Sequence, residues 1–288
     1  MNDINWFPGH MAKARRLIED KIKLIDLVIE IVDARIPYSS KNPMIDKLIK
    51  NKKKIMIMSK ADLADERALK KWQAYYEKQG YEVISSNLNI FNQMNEIVSK
   101  AKISLQDQIL KNKARGMKEK PIRALVMGIP NVGKSTFINK MAKRKATRVA
   151  NKAGVTKALQ WIKVDQSFEL LDSPGLLWPK LNDQQVAINL ALTGAIKNEI
   201  LPKEDLVFYA LRFLNKYYQK AFYERYHLTM MDNDDINSIV LVLDKIGHDR
   251  GCYFKNKEIN YDQVYEIILK EIRNNMIGRI CFDNEFIE

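Results

Sequence analysis

A chain of 288 residues with 46% hydrophobic and 29% charged side chains has the make-up of a soluble globular protein, long enough for one large domain or two ordinary ones. No run approaches the roughly 18 apolar residues of a membrane span, residues 1–20 lack the apolar core of a secretory signal, and the two distant cysteines, Cys252 and Cys281, read as reduced thiols of a cytoplasmic protein. The net charge of +13 is lopsided: residues 181–288 carry 13 basic against 17 acidic side chains, which leaves +17 on residues 1–180 and points to a polyanionic partner, most often nucleic acid.

In chain order, short apolar runs occur at 27–32 (LVIEIV), 55–58 (IMIM), 81–84 (YEVI) and 124–127 (ALVM), each closed by polar or glycine punctuation. Runs at 159–164 and 168–171 read as a hairpin pair. Amphipathic helical segments separate the earlier runs, so the expectation is an α/β fold, a mostly parallel sheet with helices on both faces. In such sheets ligands bind at the carboxyl ends of the strands. Residues 106–123 crowd Lys111, Lys113, Arg115, Lys118, Lys120 and Arg123 around Gly116 and Pro121, and read as a basic linker between two blocks of the sheet. After Pro179 the strand pattern stops and helical periodicities run through 184–197, 203–226, 234–247 and 261–275, which predicts a separate helical domain. No internal repeat or low-complexity tract interrupts this order.

Gly128-Ile-Pro-Asn131-Val132-Gly133-Lys134-Ser135-Thr136 follows the run ALVM and opens a helical pattern. Glycines there let backbone N–H groups wrap phosphates, and the helix amino end adds its dipole. Lys134 is expected to reach the outer phosphates and the Ser135 hydroxyl to ligate Mg²⁺. Asp172-Ser-Pro-Gly175 follows the run FELL; its carboxylate can hold a Mg²⁺-bound water and the Gly175 N–H can meet a terminal phosphate. Between the two, Thr156 sits in a loop able to close over the γ-phosphate and complete the Mg²⁺ shell. Ser59-Lys60-Ala-Asp62 follows IMIM. A carboxylate such as Asp62 can accept both hydrogen bonds of the guanine N1–H and N2–H₂ edge, which adenine does not offer; the Lys60 stem can pack beneath the base. Ser85 and Ser86, at the end of the next run, can offer backbone N–H groups to the guanine oxygen.

These five segments match the motif set of the translation-factor-like GTPases in permuted order, G4-G5-G1-G2-G3. Within the circularly permuted GTPases the chain resembles the bacterial ribosome biogenesis GTPase A family. The resemblance is carried by the opening Trp6-Phe7-Pro8-Gly9-His10-Met11-Ala12-Lys13 and by Asp33-Ala-Arg35-Ile-Pro37 with Asn42-Pro43. Residues 128–136, Leu177-Trp178-Pro179-Lys180, Thr193-Gly-Ala-Ile196 and residues 247–251 carry the rest. It implies a permuted GTPase domain over 1–178 and a helical, RNA- or ribosome-binding domain over 179–288. It also implies a GTPase of late large-subunit assembly that binds ribosomal RNA and is activated by the particle; a monomer is the default expectation. Because the helical half is slightly acidic, much of the RNA contact is expected on the basic half, including 140–157. The family usually has Asn where this chain has Ser59, which puts affinity in question and leaves base identity with Asp62. Leu176 follows Gly175, where many GTPases carry the water-orienting Gln. The resemblance offers two substitutes: Asn131, matching a K⁺ ligand of potassium-activated relatives, and His10 as the candidate for positioning water. Competing readings are a P-loop ATPase or kinase, a passive GTP-binding RNA factor, and a membrane-surface GTPase.

Overall fold

The computed structural model describes residues 8–49, 52–90, 92–147, 159–175, 183–196 and 200–287, with the backbone alone for residues 8–14. Helix α1 (Pro8–Lys21) leads into strand β1 (Leu27–Asp33), which is buried along its whole length. Helix α2 (Pro43–Leu48), β2 (Lys53–Ser59), α3 (Glu66–Lys78), β3 (Glu82–Ser86), α4 (Met94–Ser104) and α5 (Gln106–Ala114) follow, then β4 (Ile122–Met127), α6 (Lys134–Met141), β5 (Gln160–Lys163) and β6 (Phe168–Asp172). The six strands form one sheet in the order β3-β2-β1-β4-β6-β5. All neighbours are parallel except the β5–β6 hairpin, as the runs at 159–164 and 168–171 predict. Continuous apolar runs in β1, β2 and β4 reflect burial on both faces.

The expected linker is half helix. Gln106–Ala114 contains neither glycine nor proline and forms α5, so the irregular basic connection is confined to 115–121. Beyond residue 182 the chain is helical: α7 (Gln184–Leu192), α8 (Lys203–Tyr217), α9 (Gln219–Tyr226), α10 (Ile236–Arg250) and α11 (Tyr261–Arg273). The expected boundary at 178/179 lies outside the described residues. Helix α7 stops short of the predicted 197, turning at Gly194 with φ +74°. The predicted helix 203–226 is broken at Tyr218, whose backbone leaves the helical region (φ −135°) and whose hydroxyl accepts the Cys281 N–H at 2.9 Å. Gly247, expected to end α10, instead lies inside it, where a Cβ would meet Ile259 Cγ2 at 2.9 Å.

One buried apolar cluster runs from Ile29 and Val126 of the sheet through Phe137 of α6 to Leu190, Leu211 and Ile268 of the helical half. The segment after α11 then returns to the sheet half. Ile280 N–H donates to the Leu63 carbonyl (3.2 Å) and Phe282 N–H to that of Arg35 (2.8 Å). The Asp283 carboxylate accepts from the Tyr38 and Ser39 amides at 2.7 and 2.8 Å and from Asn189 Nδ2 at 2.9 Å. Cys281 is buried with Val32, Met58, Trp72 and Tyr76.

Glu30 is the polar exception within β1. It is buried, Tyr81 donates to its Oε2 at 3.1 Å, and its Oε1 has no hydrogen-bond partner among the described residues. Burial raises its carboxyl from 4.5 to about 7, with Lys41 and Lys54 opposing and Asp46 reinforcing the rise. A raised carboxyl favours the fold fully below 4.5 and loses that contribution as pH rises through about 7, a change on the order of 3 kcal/mol. Glu30→Gln is therefore expected to gain stability over the native chain between pH 5 and 8, read by urea melts across that range; parallel pH profiles for the two proteins would show that Glu30 ionises freely.

Candidate functional site

Parallel register sets the site. Asp33 of β1 lies opposite Ser59 of β2, and Ser59 opposite Ser86 of β3, so three strand ends stand side by side. On the other flank Val126 of β4 faces Asp172 of β6, and the phosphate-binding loop of 128–133 emerges between the two groups.

That loop is packed to the limit of glycine. Gly128 has φ +151°, and a Cβ there would stand 2.5 Å from the Ile31 carbonyl oxygen; at Gly133 (φ +95°) it would meet Leu88 Cδ1 at 2.8 Å. Gly133 caps α6, so Lys134, Ser135 and Thr136 form the first helical turn, whose N–H groups are free to face an anion. Lys134 is buried, its ammonium donating to the Ile129 carbonyl at 2.7 Å. Burial pushes it down to about 8 while the Asp172 carboxylate pulls the other way. A buried ammonium beside a cradle that any Cβ would fill fits a polyphosphate. A Cβ on Gly175 would come 3.2 Å from Lys134 Nζ, which brings the Asp172–Gly175 segment onto the same cradle. Asp172, buried at the end of β6, and Ser135 flank it as oxygen donors suited to Mg²⁺.

The base side is built on β1, β2 and β3. Lys60 adopts a left-handed conformation (φ 56°) and caps the short 3₁₀ turn Ala61–Leu63 that presents Asp62. Its ammonium bonds Asp33 Oδ2 at 2.7 Å. Arg35 grips the same carboxylate, Nε to Oδ1 at 3.0 Å and Nη2 to Oδ2 at 2.8 Å. Burial alone would raise the Asp33 carboxyl, but Arg35 and Lys60 outweigh it and hold it well below the usual carboxylate range. Asp33 and Arg35 lie in the segment that carries the family resemblance, and the sequence assigns them no role; their one signal is a paired Asp and Arg at a strand end. The hydroxyls of Ser85 and Ser86 are buried without a partner among the described residues.

Ser59 joins the two sides. Its hydroxyl lies 2.7 Å from the Val132 carbonyl of the phosphate loop and 2.9 Å from the Val32 carbonyl of β1. The short side chain therefore ties the end of β2 to the loop that follows β4. Ser59→Ala is expected to lower guanine-nucleotide affinity three- to tenfold, about one ordinary hydrogen bond, while Ser59→Asn stays close to the native value. Equilibrium titration with a fluorescent GDP analogue decides it, and native affinity in Ser59→Ala would remove the tether from consideration.

Asn131, at φ 62°, donates from Nδ2 to the Gly194 carbonyl at 3.0 Å, linking the phosphate loop to the end of α7. Arg35 Nη2 reaches the neighbouring Thr193 carbonyl at 3.2 Å. Thr156 and Leu176 lie outside the described residues, as do Trp6, Phe7 and residues 177–180. His10 falls on α1, where the backbone alone is described. A cavity of about 690 Å³, lined in part by Leu24, Ile109, Met117 and Arg123, opens at the amino ends of β1 and β4, the opposite edge of the sheet from these loops.

Comparison with known proteins bears on family and fold. A family model described as 50S ribosome-binding GTPase matches residues 123–268. Ribosome biogenesis GTPase A of Bacillus cereus is 48% identical over 280 residues, 97% of this chain and 93% of that protein. Probable ribosome biogenesis GTPase A of Mycoplasma pneumoniae is 33% identical over 282 residues, covering 97% and 96%. Among solved structures, GDP-bound TM YlqF superposes with a TM-score of 0.65 at 23% identity, covering 92% of this chain and 97% of that one. GNP-bound YlqF from T. maritima gives 0.61 at 23%, covering 94% and 97%. At that identity the two structures speak for the fold.

Proposed function

The chain belongs to the ribosome biogenesis GTPase A family, and from that premise we propose that it binds the precursor of the large ribosomal subunit, assists its late assembly, and hydrolyses GTP faster on that particle than alone. It is a GTPase, converting GTP to GDP and phosphate. The observation that carries the reading is the Ser59–Val132 bond, which holds the guanine-reading turn after β2 and the phosphate cradle after β4, on either side of β1, together as one site. No helix among the described residues is long and apolar enough to cross a membrane; the cytoplasm is the proposed place of work.

In this reading Asp62 accepts the guanine N1–H and N2–H₂ donors, Lys60 packs under the base, and Ser85 and Ser86 face its oxygen. Val132, Gly133, Lys134, Ser135 and Thr136 wrap the phosphates, with Gly175 at the terminal one. The Lys134 ammonium, released from the Ile129 carbonyl, neutralises charge that grows on the outer phosphates during the reaction. Ser135, Thr156 and Asp172 would hold Mg²⁺, which would screen the phosphate oxygens, and the Asn131 side-chain oxygen, Oδ1, would hold K⁺ beside them. With Leu176 in place of a glutamine, His10 is assigned to orient the attacking water. Exposed Lys111, Lys113, Arg115, Lys118, Lys120, Lys143, Arg144 and Lys145 support RNA contact on the basic half. The helical domain over 179–288 takes the remaining ribosomal contacts.

GTP hydrolysis measured in potassium buffer, with and without purified large subunits, tests the proposal. Strong stimulation by the subunit is expected. Turnover that the subunit leaves unchanged would keep a GTPase and remove the ribosomal partner.

A further inference from the structure

Helix α7 ends in four consecutive carbonyls that each accept a hydrogen bond from a distant side chain. Arg273 of α11 donates to Ala191 (Nη2, 2.7 Å) and Leu192 (Nε, 3.0 Å), Arg35 to Thr193 (3.2 Å) and Asn131 to Gly194 (3.0 Å). The last turn of a helix leaves such carbonyls without intrahelical partners and with partial negative charge, so donors and cations are drawn there. Here they come from the helical half, the Asp33–Lys60 cluster behind the base-reading turn, and the phosphate loop.

The Asn131 contact has a directional content. An asparagine amide has a donor end and an acceptor end, and a carbonyl can take the donor end alone. Gly194 therefore fixes Nδ2 toward α7 and turns Oδ1 away from it. A monovalent cation needs Oδ1. If the α7 end were displaced, the amide would lose the partner that tells its two ends apart. Arg273 is what holds that end in place: its guanidinium spans two of the four carbonyls, and a Cβ on Gly194 would lie 3.5 Å from its Nε.

We propose that the carboxyl end of α7 is a positioning element of the nucleotide site, orienting Asn131 as a cation ligand, and that Arg273 sets through it how tightly the site holds K⁺. This rests on the K⁺ role assigned to Asn131 above. The helical half then acts on the phosphate loop through one turn of backbone, and any partner that shifts α11 against α7 changes the cation response.

Melting temperature, followed with a non-hydrolysable GTP analogue while K⁺ or Na⁺ is titrated, provides a readout independent of turnover. The native protein is expected to gain stability with K⁺ and little with Na⁺. Arg273→Ala should raise the K⁺ concentration at half-effect about tenfold, the usual size for loss of an outer-shell partner, while GDP affinity in Na⁺ buffer stays within twofold. Arg273→Lys, a milder change that keeps a cation at the helix end, should fall between the two. A K⁺ midpoint unmoved in both variants overturns the proposal. So does a GDP affinity in Na⁺ that falls in step with it, since that marks a merely structural role. A native protein indifferent to K⁺ removes the cation reading itself, and the proposal with it.

Discussion

Asp62→Asn is expected to weaken GDP binding by about a hundred- to ten-thousandfold while conferring measurable affinity for xanthosine diphosphate. The carboxylate is assigned two hydrogen bonds to the guanine edge, and bonds to a charged group contribute about 1.5–3 kcal/mol each. An amide can accept from one of the two guanine donors at most, and it presents its own N–H₂ to the other. Xanthine carries a carbonyl where guanine carries the amino group, so the same N–H₂ finds an acceptor there. Competition of unlabelled GDP and xanthosine diphosphate against a fluorescent GDP analogue reads both halves of the expectation. Unchanged GDP affinity would strip Asp62 of base reading and reopen the ATPase alternative. The 3₁₀ turn that carries Asp62 is held by the backbone bond from Ile280 and by Lys60, so the substitution alters chemistry at a turn whose position is fixed from elsewhere.

Asp33→Ala should be strongly destabilising, costing about 3–5 kcal/mol, because it leaves Arg35 and Lys60 facing one another without their shared counter-ion. Arg35 is 4% exposed and Asp33 1%, so water cannot take over the contacts that Arg35 loses, whereas the half-buried Lys60 can be partly rehydrated. For a chain of this size the melting temperature should fall by about 10 °C. Asp33→Asn keeps one acceptor and should lose less. The pH dependence gives an independent sign. Asp33 ionises well below its ordinary value of 3.8, so its contribution is present above that value and is lost as pH falls through it toward the folded-state value. The stability gap between native and Asp33→Ala protein should therefore close in acid. A gap that persists undiminished at low pH would mean that packing, not the ion cluster, accounts for the loss.

β1, β2 and β4 were legible from apolar runs, because strands buried on both faces print their burial directly into the sequence; β5, an edge strand exposed at three of its four residues, was legible only as the partner of β6 in a hairpin. The phosphate cradle was legible too, since Gly128 and Gly133 mark positions that no larger residue can occupy. The Asp33–Arg35–Lys60 cluster was not. Nothing local pairs Lys60 with a residue 27 positions earlier; the contact exists because β1 and β2 run parallel with Asp33 opposite Ser59. The role of Thr193 and Gly194 was hidden for a related reason. Their side chains do little at the site, and it is their carbonyls that matter, which composition does not report. Helix ends misled where glycine served packing, as at Gly247, and α5 formed where charge alone suggested a linker. The return of residues 280–283 has no periodicity to announce it.

That return also dictates an order of events during synthesis. The β1–β4 framework and the phosphate loop leave the translating ribosome early, whereas the loop at Tyr38 and Ser39 waits for Asp283, some 245 positions downstream. Closing so wide a chain loop is slow and comes after local structure has formed. The Ile280 brace on the turn that carries Asp62 is likewise among the last contacts the growing chain can make, so that turn is locked in place late.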